Sequence, residues 1–175
     1  MIPLIDKQYE SIGRVAVQSG ALEHELEEYI VRLAHITTER SLWLSRINTL
    51  SGKVTFLDNQ LKLRSLTSSA KKDFEFAFCT IRKLIKKRNT TIHGVWSFAS
   101  NTPFILGDVI ATGRKGGIHA DDAAAVASQL RLARKLLLRL FHDHCPDANI
   151  EKCPRKTATA LRKDLSRAYE SHKWR

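Results

Sequence analysis

The stretch Arg88-Asn89-Thr90-Thr91-Ile92-His93-Gly94-Val95-Trp96 holds the residues whose types and spacing could do chemistry. Arginine is a permanent cation with a planar fork that suits phosphate, and histidine trades protons near neutrality. Five positions apart at the end of a long basic helix, the two can clamp a phosphodiester and deprotonate a nucleophile beside it. Asn89 and His93 share a helix face, but Arg88 points about 140° away from His93 on an ideal helix. Either its long arm reaches around, or the last turn loosens before Gly94. Each residue also has a purely structural use. His93 can cap the helix C-terminus, where a histidinium suits the dipole. Arg88 can be a core arginine paired with Glu23 or Glu27, and such a carboxylate would equally orient a catalytic arginine. Gly94 marks a helix stop, and Trp96 reads as core.

The elements that must position these residues follow from proline and periodicity. Proline occurs only at 3, 103, 146 and 154, so long tracts lack the strongest helix breaker. From Lys7 to Ile36, apolar residues at Ile12, Val15, Leu22, Leu26, Tyr29, Leu33 and Ile36 step by the helical period. Gly13 and Gly20, a heptad apart, predict close approach by another helix or backbone. A short helix is expected over Ser41 to Asn48 and another from Ser51 to about Leu66. The basic helix should start at Ser68 or Ser69, where serines offer caps, and run to His93, burying Phe74, Phe78, Ile81, Leu84, Ile85 and Ile92. Five of the eight glycines fall between 94 and 117, which breaks the helical pattern there. Two short strands in a hairpin around Asn101-Thr102-Pro103 fit best, and an irregular loop is the alternative. A further helix starts at Asp121 or Asp122 and reaches His144, and Lys156 to His172 can form the last. The expected fold is therefore all-α, a bundle of about five to six helices with a short β-hairpin insertion at about 94–117. Residues 1–150 make the main domain and 151–175 a basic helical extension.

A net charge of +11 over 175 residues favours a polyanionic partner, with nucleic acid first and anionic membrane second. No apolar stretch approaches the roughly 20 residues that span a bilayer, and no signal peptide opens the chain. Cys79, Cys145 and Cys153 show no repeated spacing and read as reduced thiols, which predicts a cytoplasmic location.

Arg88, Asn89 and His93, at the end of a helix in an all-helical chain, resemble the Arg-x4–6-His motif of the HEPN domain family, with a polar residue after the arginine. Gly20-Ala21-Leu22-Glu23 is similar to the small-x-Leu-Glu element of bacterial members. The resemblance covers about residues 7 to 144. It implies a metal-independent endoribonuclease without cofactor, acting as a homodimer with its active site between two copies of the motif. It also implies a toxin or phage-defence role, with a cognate antitoxin or regulatory protein as a possible partner. The chemistry fits RNA, which carries its own nucleophile, the 2′-OH. Cleavage needs a base for that hydroxyl, an acid for the departing 5′-oxygen and cations for the charge on phosphorus. His93 from each copy would move the protons, Arg88 would clamp the phosphate and Asn89 would position it or orient Arg88. The family variant linked to adenylylation has tyrosine two residues after the histidine, and here that position is Val95.

Other constellations are weaker. His142-Asp143-His144-Cys145 with Cys153 could form a metal site, but the histidines are two apart and point differently, so no metal is expected. Gly113-Arg114-Lys115-Gly116-Gly117 lacks the ending of a phosphate loop and reads as a basic turn touching RNA backbone. Residues 151–175 hold eight lysines and arginines against three acids. There Ala158, Leu161, Leu165 and Ala168 line one side of the helix, while Arg162, Lys163 and Arg167 are spread over the other faces. Lys86, Lys87, Arg114, Lys115, Arg162, Lys163 and Arg167 are therefore the expected RNA contacts. A helical domain that binds nucleic acid or a partner protein without cleaving is the alternative function.

Overall fold

Helix α1 (Asp6–Leu33) buries Val15, Leu22, Leu26, Tyr29, Ile30 and Leu33 along one stripe. The computed structural model describes residues 6–36, 47–93, 95–99, 102–106, 117–146 and 153–171. α1 stops three residues before Ile36. His35 takes the left-handed conformation at φ 50°, and the Ile36 amide donates back to the Val31 carbonyl at 3.0 Å. That closure satisfies carbonyls the last turn would otherwise orphan. Among the described residues Gly13 and Gly20 receive no neighbour: a Cβ built on either meets no atom within 4 Å. The close approach expected of them is absent because both sit on the exposed side of α1.

Helix α2 (Leu50–Lys62) begins where the Thr49 hydroxyl accepts the Gly52 amide at 3.0 Å. It buries Val54, Leu57 and Leu61, and ends short of the expected Leu66. Most of the helix expected over Ser41 to Asn48 lies outside the described residues. Helix α3 (Ser68–His93) is capped by Thr67, which accepts the Ala70 amide at 3.2 Å, so Ser68 and Ser69 fall inside the first turn. Helices α4 (Ala120–His144) and α5 (Ala158–Glu170) follow.

These five helices share one core. Tyr29 stacks on Phe141 at 4.2 Å between centroids, and Phe74 meets Phe141 edge-on at 5.1 Å. Leu161 and Leu165 of α5 are fully buried in the same core as α1 to α4. Polar clamps tie the helices pairwise. Arg134 of α4 reaches Glu25 and Gln18 of α1 at 2.5 and 2.9 Å, and Arg82 of α3 reaches Asp58 of α2 at 2.8 Å. The Gln129 amide of α4 donates to the Ala168 carbonyl of α5 at 2.7 Å.

The helices alone define the bundle. For the 94–117 region only backbone is described: β1 (Val95–Ala99) pairs antiparallel with β2 (Thr102–Leu106), and β2 with β3 (Gly117–His119). No described core side chain comes from it. Among the described residues no helix is long and apolar enough to cross a membrane.

Candidate active site

The last two turns of α3 are held by what they bury. Leu84, Ile85 and Thr91 are buried and Ile92 is half-buried, which leaves Asn89 and His93 exposed and Arg88 at the margin. Buried Thr91 satisfies its hydroxyl by donating to the Lys87 carbonyl at 2.9 Å, and Thr90 does the same to Lys86 at 3.2 Å. The helix therefore stays wound through His93, and the arm of Arg88 spans the angular gap. Arg88 Nη1 donates to Asn89 Oδ1 at 2.9 Å and lies 3.2 Å from His93 Nε2. Since a guanidinium has no acceptor, that second contact is a hydrogen bond only with the His93 proton on Nδ1. Arg88 Nε is buried with no hydrogen-bond partner, an orphaned donor whose desolvation costs about 1–3 kcal/mol. The structure thus brings Arg88, Asn89 and His93 together.

Glu23 and Glu27 do not join them. Both carboxylates of α1 grip the Lys53 ammonium of α2, at 2.5 and 2.7 Å, instead of orienting Arg88. Lys53 is 3% exposed. Burial pulls its pKa down, but the hydrogen bonds it donates to Glu23 and Glu27 outweigh that and hold it above the ordinary lysine value. Lys53 was legible as the lysine on the stripe that continues through Leu57 and Leu61, where a charge must find partners.

The basic residues divide. Lys86, Lys163 and Arg167 are exposed and open to an anion. Lys87 instead lies over the Tyr169 ring, 4.8 Å from its centroid, with Lys83 at 5.9 Å. Burial, aided by the like charge of Lys83 and opposed by Asp122, pushes the Lys87 pKa down to about 8. Arg162 is committed to the bundle: it pairs with Asp73 and stacks on Phe76 at 4.7 Å. It is a strut between α5 and α3, so its guanidinium is shared with Asp73 and Phe76. Arg114 and Lys115 lie outside the described residues. Tyr169 was missed in the sequence, although it falls one turn beyond Leu165 on the docking stripe of α5.

At the end of α4, Asp143 is taken by Arg139 at 2.7 Å and by His142 at 3.2 Å. Burial raises the Asp143 pKa, but the hydrogen bonds from Arg139 and His142 outweigh it and hold the carboxyl below the usual range. Among the described residues no three histidine, cysteine or acidic side chains gather as metal ligands. No family model matches the chain, and neither a curated protein nor a solved structure matches it.

Proposed function

We propose that this protein is a metal-independent endoribonuclease of the HEPN type, an all-α bundle with a short β insertion, working as a homodimer. The observation that carries the reading is the contact of Arg88 Nη1 with Asn89 and His93. It supports a site in which cation and base lie within one phosphate's reach. In the proposed step, His93 of one copy takes the 2′-OH proton as the 2′-oxygen bonds to phosphorus. The bond from phosphorus to the 5′-oxygen breaks, and the His93 of a second copy protonates the leaving oxygen. Phosphate oxygens replace His93 on the Arg88 fork, and that exchange frees the Nε2 lone pair for the hydroxyl proton. Lys86, Lys163 and Arg167 supply screening-sensitive attraction for the RNA backbone. A toxin or defence role, under control of a partner protein, is the biological setting this chemistry suits.

The purified protein should cut RNA in the presence of EDTA and leave 2′,3′-cyclic phosphate ends. His93→Ala should lower the rate by about 100-fold or more, the scale of general acid–base catalysis, and Arg88→Ala by a similar factor. Full activity in both variants removes the site. A second reading rests on the same contact: with its lone pair held by Arg88, His93 can also serve a domain that binds nucleic acid or a partner protein without cutting. Salt-sensitive RNA binding with no product in EDTA or in magnesium would favour it.

A further inference from the structure

A trough of about 510 Å³ opens between α1, α4 and the approach to α5, and none of its lining residues belongs to α3. Helix α4 builds the long wall, because Arg131, Lys135 and Leu138 recur at steps of four and three and so share one side of the helix. From Arg131 to Leu138 that wall runs about 10 Å, or two helical turns. Leu132 and Leu138 are only half-buried in it, so part of each apolar side chain still meets water. Pro154 ahead of α5, and Leu161 in its first turn, close the other side.

The charges around this opening do not balance. Its two carboxylates are each taken by a cation of the same lining, Glu25 by Arg134 at 2.5 Å and Asp164 by Lys156 at 2.6 Å. Arg131, Lys135 and Arg155 are left over on the exposed rim, and among the described residues no carboxylate pairs with them. The trough is therefore apolar along its walls, with three open cations above. Its complement in shape and charge is a surface with an apolar ridge and carboxylates on either side.

We propose that this trough docks an acidic amphipathic helix of a partner protein. Apolar side chains at i, i+4 and i+7 of that helix span the same two turns as the wall and enter between Leu132, Leu138 and Leu161. Glutamates or aspartates flanking them meet Arg131, Lys135 and Arg155. An RNA strand would use the rim cations and leave the apolar walls wet, and a flat membrane surface would not enter a concave trough. The proposal stands whether or not the end of α3 cuts RNA.

The probe is a phage-displayed library of random 16-residue peptides, selected on the full chain at physiological ionic strength. Enriched peptides should carry leucine, isoleucine or phenylalanine at helical spacing, with acidic residues between them. A synthetic copy of the most enriched peptide should bind one per chain by calorimetry. Its affinity should fall tenfold or more when its acids become glutamine, and likewise when its apolar residues become serine. Lys135→Glu with Arg155→Glu, both exposed, should weaken it tenfold or more. Arg88→Ala, at the other site, should leave peptide affinity unchanged. Absence of enriched peptides, enrichment of peptides without acids, or indifference to the rim charges would overturn the proposal. So would displacement of the peptide by oligouridylate, which would give the trough to RNA. Self-association lost on rim reversal, read by light scattering, would give it instead to a second copy of the chain.

Discussion

Replacing Lys53 with methionine tests whether the carboxylates nearest the proposed family element are structural. The Lys53 ammonium makes two charge-assisted hydrogen bonds, at 2.5 Å to Glu23 and 2.7 Å to Glu27. Such bonds contribute about 1.5–3 kcal/mol each. Two effects reduce the sum in the variant, and a third opposes them. Methionine avoids the desolvation of a side chain that is only 4% exposed. The released carboxylates, at 36% and 27% exposure, rehydrate instead of staying stranded. Against those gains, two like charges four apart on α1 then repel by about 0.3 kcal/mol. The net expected loss is about 2 kcal/mol, below the 3–5 kcal/mol of a fully buried broken pair. For a domain of this size that lowers Tm by about 4–8 °C. Urea unfolding followed by circular dichroism at pH 7 reads it directly. The pH dependence is a second readout. Because the folded pKa of Lys53 is raised above 10.5, its contribution is complete below that value and is lost as pH rises through the folded pKa. The stability gap between wild type and Lys53→Met should therefore be flat from pH 6 to 9 and close only above 10.5. Equal stability of the two proteins at pH 7, or no coupling between Lys53→Met and Glu27→Gln in a double-mutant cycle, refutes the reasoning.

Gly20→Ala and Gly13→Ala should each raise stability by about 1 kcal/mol in the same assay, since both positions are helical and open. Lys87 carries a pKa near 8, depressed by burial, so its positive charge fades above that value. Its ammonium is held over the Tyr169 ring, so the change is read by urea unfolding across pH, and Lys87→Arg should remove the pH dependence. The same depressed pKa makes stability rise with pH between about 8 and 10.5, opposite to Lys53. Lys163→Gln with Arg167→Gln should flatten the log–log salt dependence of RNA binding by about 0.7 per lost contact without lowering Tm, because both are exposed.

What could be read from the sequence was what depends on short-range pattern. The stripe from Phe74 to Ile85 and the Thr157-capped α5 with Leu161 and Leu165 follow from apolar spacing, and so does their burial. Helix ends were harder, because their stop signals are tertiary. His35 closes α1 in a conformation usually taken by glycine, and the Leu33 carbonyl accepts from the Arg64 side chain at 3.3 Å. No local sequence rule announces a histidine in that role. Partner choice was harder still. Glu23 and Glu27 have a lysine to hold only because α2 packs on α1 in the register that brings Lys53 to them. An Arg88 pairing looked equally available on spacing alone. Arg162 shows the same: its spacing marks it as polar, and only the packing of α5 on α3 brings Asp73 and Phe76 to it.

The exposure of the candidate site sets what any catalytic reading must explain. Asn89 and His93 are exposed, and in open water a unit charge at 4 Å acts with only about 1 kcal/mol, against about 4 kcal/mol at the effective dielectric near a protein surface. Arg88 in solvent therefore stabilises a developing phosphorane charge weakly. Covering the end of α3, by a second copy or by the RNA itself, would raise that contribution by excluding water. The two covers differ in their concentration dependence. If a second copy is needed, specific activity on a short oligonucleotide should rise with protein concentration and saturate with dimer formation in light scattering. A rate per chain that stays constant through the dimerisation range would leave the RNA to complete the site alone.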